Sequence, residues 1–429
     1  MGMKIEDRKP KILVLVIVFL VIAGGAWVVW RRNIVAIKSD EEADRPSLEE
    51  LLSLPYLAHV ENDPHPELRG VTLHNEALAF EGFNLLTSMR MRGSHLLDMA
   101  GNILHSWTSD DSIGRAWLYS EMAGDGSLMA VVLDVGLVRM NWNSDLIWLS
   151  TVAENPYIER PRRAAYHHDF EVTANGDVYA LATEPRHISY VAQGASSYEI
   201  CDNSMVILTS QGVATRSISF HDLLGDLMAD EILTNIRAAE AQLRKKKILR
   251  ATNFDVYHCN TVEEIQRDIG VAKKGDVLFC VRNLNLVGIV DIEKEELAWS
   301  WGPDILQLPH HPTVLEDGNI LVFDNGTRQR KYSRVLEVDP AAKEVVWQYE
   351  ADPRESFFSP IMGASQRLPN GNTLITESTK GRVFEVTEDG EIVWEFWNFQ
   401  VRKGGKHKGK RATIYRMIRY GPDYLKSRP

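Results

Sequence analysis

Two histidines of this 429-residue chain share one local context. His168 and His310 each stand eight residues before the glycine of a turn, Asn175-Gly176 and Asp317-Gly318, and each turn opens onto an apolar run. A tight turn sets hairpin register and side chains alternate faces along a strand, so the equal offset predicts equivalent points of equivalent repeats. Both rings would then face one shared place. A neutral imidazole is a competent nucleophile near pH 7 and a proton carrier when charged. A second cluster follows: Asp255-Val256-Tyr257-His258-Cys259-Asn260 and, after the next turn, Val281-Arg282-Asn283. His258 offers another proton carrier, Asn260 a neutral donor and Arg282 a planar fork for an oxyanion. Together these are the parts for nucleophilic transfer of an anionic group: a nucleophile, cationic or donating groups for its oxygens, and a proton source for the leaving group. Each also has a structural reading, as a satisfied histidine at a strand end or an arginine paired to a carboxylate. His167, His187 and His311 are read as packing or solvent-facing.

Elements that position such a set must bring distant segments together, and the chain is repetitive enough to do so. Gly126, Gly176, Gly275, Gly318 and Gly371 each follow a turn residue and precede an apolar or β-branched run, the signature of a strand leaving a hairpin. Six downstream tails, most ending in tryptophan, run Gly101 to Trp107, Asp145 to Trp148, Gln211 to Val213, Lys294 to Trp299, Lys343 to Trp347 and Gly390 to Trp394. Most repeat steps are roughly 44–53 residues, the spacing of four-stranded propeller blades. An all-β, six-bladed β-propeller over 70–400 is therefore expected. The interval from Gly176 to Gly275 is about twice as long, and a helical insertion at 222–250 accounts for it, with Leu223, Leu224, Leu227, Ile232, Ile236, Ala239 and Leu243 at helical spacing. The ring is expected to close with strands near Val383 to Phe399 and the segment from Gly70 to Ser88. Propellers gather residues of different blades at the axial mouth, which is how His168 and His310 could meet.

The remainder is organised around the N-terminus. Ile12 to Trp30 are nineteen uncharged, mostly apolar residues, enough for one helix across a bilayer core of roughly 30 Å, with Trp27, Trp30, Arg31 and Arg32 as an interfacial anchor. Residues 1–33 read as a cytoplasmic tip and transmembrane anchor, 34–69 as an acidic, proline-containing spacer with a short helix from Ser47 to Leu54, and 401–429 as a basic tail. Cys201, Cys259 and Cys280 form no CxxC, which points to neither zinc nor a disulfide framework. A net charge of −11 with 44% hydrophobic residues gives no reason to expect nucleic acid as a partner.

The two histidine repeats, the His258-Cys259-Asn260 segment, Arg282 at a strand end, Phe323-Asp324-Asn325-Gly326, Tyr332-Ser333-Arg334-Val335, Leu368-Pro369-Asn370-Gly371-Asn372 and Ile414-Tyr415-Arg416 occur in one order. In this the chain resembles the bacterial PAPS-independent arylsulfotransferases from about Gly70 to Tyr420. The resemblance implies a sulfotransferase moving a sulfuryl group from an aryl sulfate donor to a phenolic or other hydroxyl acceptor. It matches His310 to a histidine that becomes transiently sulfurylated, His258 and Asn260 to the family's His-x-Asn, Arg282 to its strand arginine and His168 to its earlier His-Asp histidine. The chain departs from the pattern at His311, where an aspartate is common, in its long helical insertion, and in lacking the separate N-terminal β-domain of larger members. No cofactor is implied; three converging histidines suit a metal in general, but the family uses none and the Arg282 charge opposes one. The implied location is the inner membrane, single-pass, with the propeller facing the periplasm or cell exterior. The alternative, since fold alone decides no function, is a non-catalytic propeller that binds a ligand or assembles with a membrane-protein partner or with copies of itself.

Overall fold

The computed structural model describes residues 59–60, 63–89, 91–109, 113, 116–158, 164–190, 196–245, 254–403 and 408–425. The apolar run Ile12 to Trp30 and the short helix expected from Ser47 to Leu54 lie outside the described residues. Among those described, no helix is long and apolar enough to cross a membrane.

Six antiparallel sheets make six blades. From the axis outward, the second blade is Trp117–Met122, Leu128–Val132, Gly136–Met140 and Leu146–Ser150; the fourth is Cys259–Glu264, Val277–Val281, Leu286–Asp291 and Glu296–Trp301; the fifth is His310–Val314, Ile320–Asp324, Arg334–Asp339 and Glu344–Tyr349. The inner strands touch their neighbours in an unbroken ring. Core residues lie between blades rather than at the axis: Leu278, Ile289, Ile320 and Leu336, for example, fill the space between the fourth and fifth. Burying both faces of every sheet in this way is what makes the middle strands read as continuous apolar runs.

The recurring tryptophan has a structural cause. In four blades the outer-strand indole donates to a main-chain carbonyl of the next blade: Trp148 to Ser210 O at 3.0 Å, Trp299 to Pro340 O at 2.9 Å, Trp347 to Glu388 O at 2.9 Å and Trp394 to Met99 O at 2.9 Å. A large apolar ring with one N–H donor suits a site that is dry on its face and polar at its rim.

Closure uses both chain ends. Gly70–His74 pairs with Ile392–Trp397 as a fifth, outermost strand of the sixth blade, close to the expected arrangement. Ile414–Tyr420 is the innermost strand of the first blade, with Phe83–Ser88, Gly93–Leu97 and Ile103–Thr108 following outward. The expected boundary at residue 400 therefore falls short. The segment read as a basic tail returns into the ring, and its pairing partner lies more than three hundred residues away, so no local turn signal announces it.

The long interval in the third blade has two sources. Its second and third strands, Val178–Tyr190 and Ser196–Leu208, are 13 residues each, about twice the length found elsewhere. Helices α1 (Phe220–Leu224) and α2 (Ala229–Lys245) then follow its last strand, Ala214–Ser219, and overlap the helical insertion expected at 222–250, with α1 starting before it. Ser219 caps α1 by accepting from Asp222 N at 3.1 Å. Leu223, Leu224, Ile232, Leu233 and Ile236 bury one face against the third and fourth blades.

Candidate active site

The inner strands of several blades begin irregularly. Ala165–Val172, the inner strand of the third blade, slips register between its partners Ala180 and Ala182; the fourth-blade strand slips at Cys259/Thr261 and the fifth at His310/Thr313. His168, His258 and His311 have φ of 57°, 54° and 48°, a left-handed conformation that non-glycine residues seldom adopt. Bulges of this kind re-aim side chains and concentrate beside functional sites, where the strain is held by surrounding structure. Period-2 alternation does not survive a bulge. The histidines meet because three blades open their inner strands at the same end, not because His168 and His310 share one register.

His168 is 5% exposed and its ring meets that of His258 edge-on, with centroids 4.7 Å apart. Burial, then the His258, His167, His310 and Arg282 charges, press its pKa well below the ordinary imidazole value. His167, expected to pack or face solvent, is buried and hydrogen-bonded ring to ring with His168. His258 is paired through Nδ1 with the Asp255 carboxylate. Burial by itself would raise the Asp255 carboxyl, but His258 and Arg282 outweigh it and hold the group below the ordinary aspartate value. Asp255 had no role assigned from sequence, although its three-residue spacing from His258 was visible.

His310 has the most constrained ring of the set. Its Nδ1 lies 2.8 Å from Asn325 Oδ1 and 3.1 Å from Leu308 O. Asn325 cannot be turned around, because its Nδ2 donates to two carbonyls, Ser359 O at 2.7 Å and Met362 O at 2.6 Å. Both neighbours of His310 Nδ1 are therefore acceptors, and Nδ1 must carry the proton. That leaves Nε2 as the lone-pair nitrogen. Burial, with Arg282 next, lowers the pKa to about 3, so the ring is neutral at physiological pH. Asn325, fully buried, was missed as a site residue; its only sequence signal was the Asn-Gly step after an apolar strand.

Arg282 starts a one-turn 3-10 helix, Arg282–Leu284, directly after the second strand of the fourth blade. The turn is tied back to the His258 segment by Arg282 N to His258 O at 3.3 Å and Asn283 N to Tyr257 O at 3.0 Å. Its guanidinium is 1% exposed, and burial lowers its pKa to about 10, which leaves it charged at neutral pH. Asn260 is 1% exposed, and one amide N–H is engaged by Pro309 O at 2.9 Å while its Oδ1 accepts from Thr261 Oγ1 at 3.0 Å. It ties the fourth blade to the residue preceding His310.

Two spaces adjoin these residues. A cavity of about 400 Å³ lies beside His167, His168, His258 and Asp255, within the size range of small-ligand pockets. Farther along the axis a chamber of about 170 Å³ is lined by Glu121, Asp169, Glu171, Glu263, His311 and Arg416. Burial raises the Glu121 and Glu171 pKa values and pushes Glu263 up to about 8. Asp169, the residue after His168, bonds to Arg416 at 3.2 Å and to Val262 N at 3.3 Å. It thus anchors the bulge that presents His168. Of the candidate residues, His168 and His258 line the larger space. Among the described residues, no group of three or more His, Cys, Asp or Glu side chains could hold a metal ion.

The family model for arylsulfotransferase (ASST) matches residues 124–399, well over half of the chain. The chain belongs to the arylsulfotransferase family. Sulfotransferase activity in general follows from that membership. No curated protein matches it significantly in sequence. Among solved structures, a protein of unknown function from Bacteroides caccae is 12% identical at a TM-score of 0.50, over 79% of this chain and 98% of its own, a likeness of fold alone. A streptogramin B lyase is 11% identical at a TM-score of 0.43, over 85% of this chain and 97% of its own. Apo AztD from Citrobacter koseri is 8% identical at 0.41, over 80% and 98%. An arylsulfotransferase site would draw on three blades here, the third, fourth and fifth, since the Arg282 and Asn325 turns belong to the same blades as two of the bulged strands.

Proposed function

We propose that this arylsulfotransferase moves a sulfuryl group from an aryl sulfate to a phenolic or other hydroxyl acceptor by a ping-pong route through a sulfohistidine. The observation that carries the reading is the fixed tautomer of His310. A buried, neutral imidazole with Nδ1–H bound to Asn325 presents Nε2 to the donor. Nε2 attacks sulfur, the aryl oxygen leaves with the S–O bonding pair, and His258, oriented by Asp255, supplies its proton. Arg282 stabilises the charge on the sulfuryl oxygens. The acceptor hydroxyl then gives its proton back to His258 as its oxygen takes the sulfuryl group from Nε2. His168 supports the proton carrier by ring contact, and Asn260 holds the Pro309 main chain that leads into His310.

The charge-free run Ile12 to Trp30 supports the further proposal that the protein is single-pass in the inner membrane with its propeller outside the cytoplasm. Intact-mass measurement after mixing with 4-nitrophenyl sulfate tests the chemistry. Wild type is expected to gain one SO3 and His310→Ala none, with loss of donor cleavage. A wild-type protein that acquires no SO3 from any aryl sulfate overturns the reading and favours a binding propeller.

A further inference from the structure

Arg328 lies in the loop between the fifth-blade strands Ile320–Asp324 and Arg334–Asp339, yet it reaches across to the fourth blade. Its Nη2 donates to Asn283 O at 3.2 Å. Arg282 Nη1 donates to the side chain of the same residue, Asn283 Oδ1, at 3.3 Å. Asn235 of α2 shares the Asn283 carbonyl, at 3.2 Å, so three elements converge on this turn. The result is two guanidinium groups fixed to one asparagine.

Their surroundings are unlike those of the other inward arginines. Arg330 and Arg334 share Asp324 at 2.8 and 2.9 Å, Arg416 holds Asp169, and Arg419 holds Glu385. Arg328 has no carboxylate partner among the described residues. Burial lowers its pKa with no opposing charge to offset it, and its own charge helps to lower that of Arg282. The carboxylate beside Arg282, Asp255, is already paired with His258, and the nearby His310 and His168 are held neutral. The two guanidiniums therefore leave positive charge in excess beside the histidines. An unpaired, partly buried cation beside a second one destabilises a fold, and such a conflict between local chemistry and packing marks a functional site. A sulfate monoester carries one negative charge, in an oxyanion geometry that guanidinium forks match.

We infer that Arg328 is a ligand-binding residue, forming with Arg282 a two-guanidinium clamp for the anionic end of a sulfate monoester donor. This deepens the proposed sulfuryl transfer and rests on it for the identity of the donor. The loop that delivers Arg328 also carries Asn325, so the same short segment sets the nucleophile's tautomer and grips the group it attacks.

The test measures binding of inorganic sulfate to the full chain by calorimetry, alongside steady-state cleavage of 4-nitrophenyl sulfate. Wild type, Arg328→Met, Arg328→Gln and Arg328→Lys are compared. Loss of the clamp is expected to weaken sulfate binding and raise KM at least tenfold in the Met and Gln variants, with partial recovery in Lys. The ligand-free Met variant should melt no lower than wild type, because removing Arg328 relieves repulsion on Arg282; a purely structural arginine would leave a lower Tm. Unchanged sulfate affinity and KM, or a fall in Tm that Lys restores, overturns the inference. Arg328-dependent sulfate binding in a protein that cleaves no aryl sulfate would leave the clamp standing and remove the reaction. Cleavage at wild-type KM by Arg328→Met would do the reverse.

Discussion

Asp255→Asn separates proton delivery from nucleophilic attack. The substitution keeps the size of the side chain and an oxygen able to accept the His258 Nδ1–H, but removes the charge that stabilises a positive imidazole. Two unit charges about 4 Å apart interact by about 4 kcal/mol at an effective dielectric constant near 20. The Asp255 side chain is 38% exposed, so solvent screening reduces this to about 2 kcal/mol, roughly thirtyfold in rate. That factor should appear only where the leaving group needs a proton. With phenyl sulfate, whose phenolate is a poor leaving group, kcat is expected to fall about thirtyfold. With 4-nitrophenyl sulfate, whose phenolate departs unaided, it should change by less than about threefold, general acid catalysis being worth little there. Stopped-flow release of each phenol, followed through the first turnover, isolates the sulfurylation step. Equal losses with both donors would refute the assignment of His258 and Asp255 to proton transfer, since a defect in attack or binding ignores leaving-group basicity.

Asn325→Leu should free the His310 ring to populate the tautomer that hides its lone pair, lowering the first-turnover rate by at least tenfold; two buried carbonyls lose their donor as well, at about 1–3 kcal/mol each, which thermal unfolding will register. A rate equal to wild type in the folded variant would mean that Nδ1 protonation is not set by Asn325. Glu263 has a folded-state pKa raised to about 8, so the native state binds its proton more tightly than the unfolded chain does. That contribution is complete below the unfolded carboxyl pKa and is lost as pH rises through about 8, so Glu263→Gln should gain Tm over wild type at pH 8 more than at pH 5. The same Tm difference at both pH values would show that the chamber does not hold this proton.

The local turns and the tryptophan tails were enough to count blades, because a hairpin is specified by residues within about ten positions of one another. The same locality explains why His258, Asn260 and Arg282 could be picked out: their segments flank a single hairpin, and the turn after Val281 is bonded straight back to His258 and Tyr257. His168 and His310 were legible through their shared distance from a glycine turn.

Other features depended on contacts with no short-range counterpart. Ile414–Tyr420 enters the first blade beside Phe83–Ser88, and only ring closure brings those strands together. The bulges that tip His168 and His258 into left-handed conformations leave no mark in an alternating pattern, since one extra residue is invisible without its partner strand. Asn325 became a site residue because the carbonyls of Ser359 and Met362, from the following blade, orient its amide toward His310. Arg328 is one of several basic residues in a loop by sequence, and unlike Arg330 it has no carboxylate partner among the described residues once the fourth and fifth blades are packed. Residue type and local spacing thus determined which groups were available for chemistry. Packing between blades decided their tautomers, their charge states and which of them face one another, because those properties depend on burial and on neighbours far away in the chain.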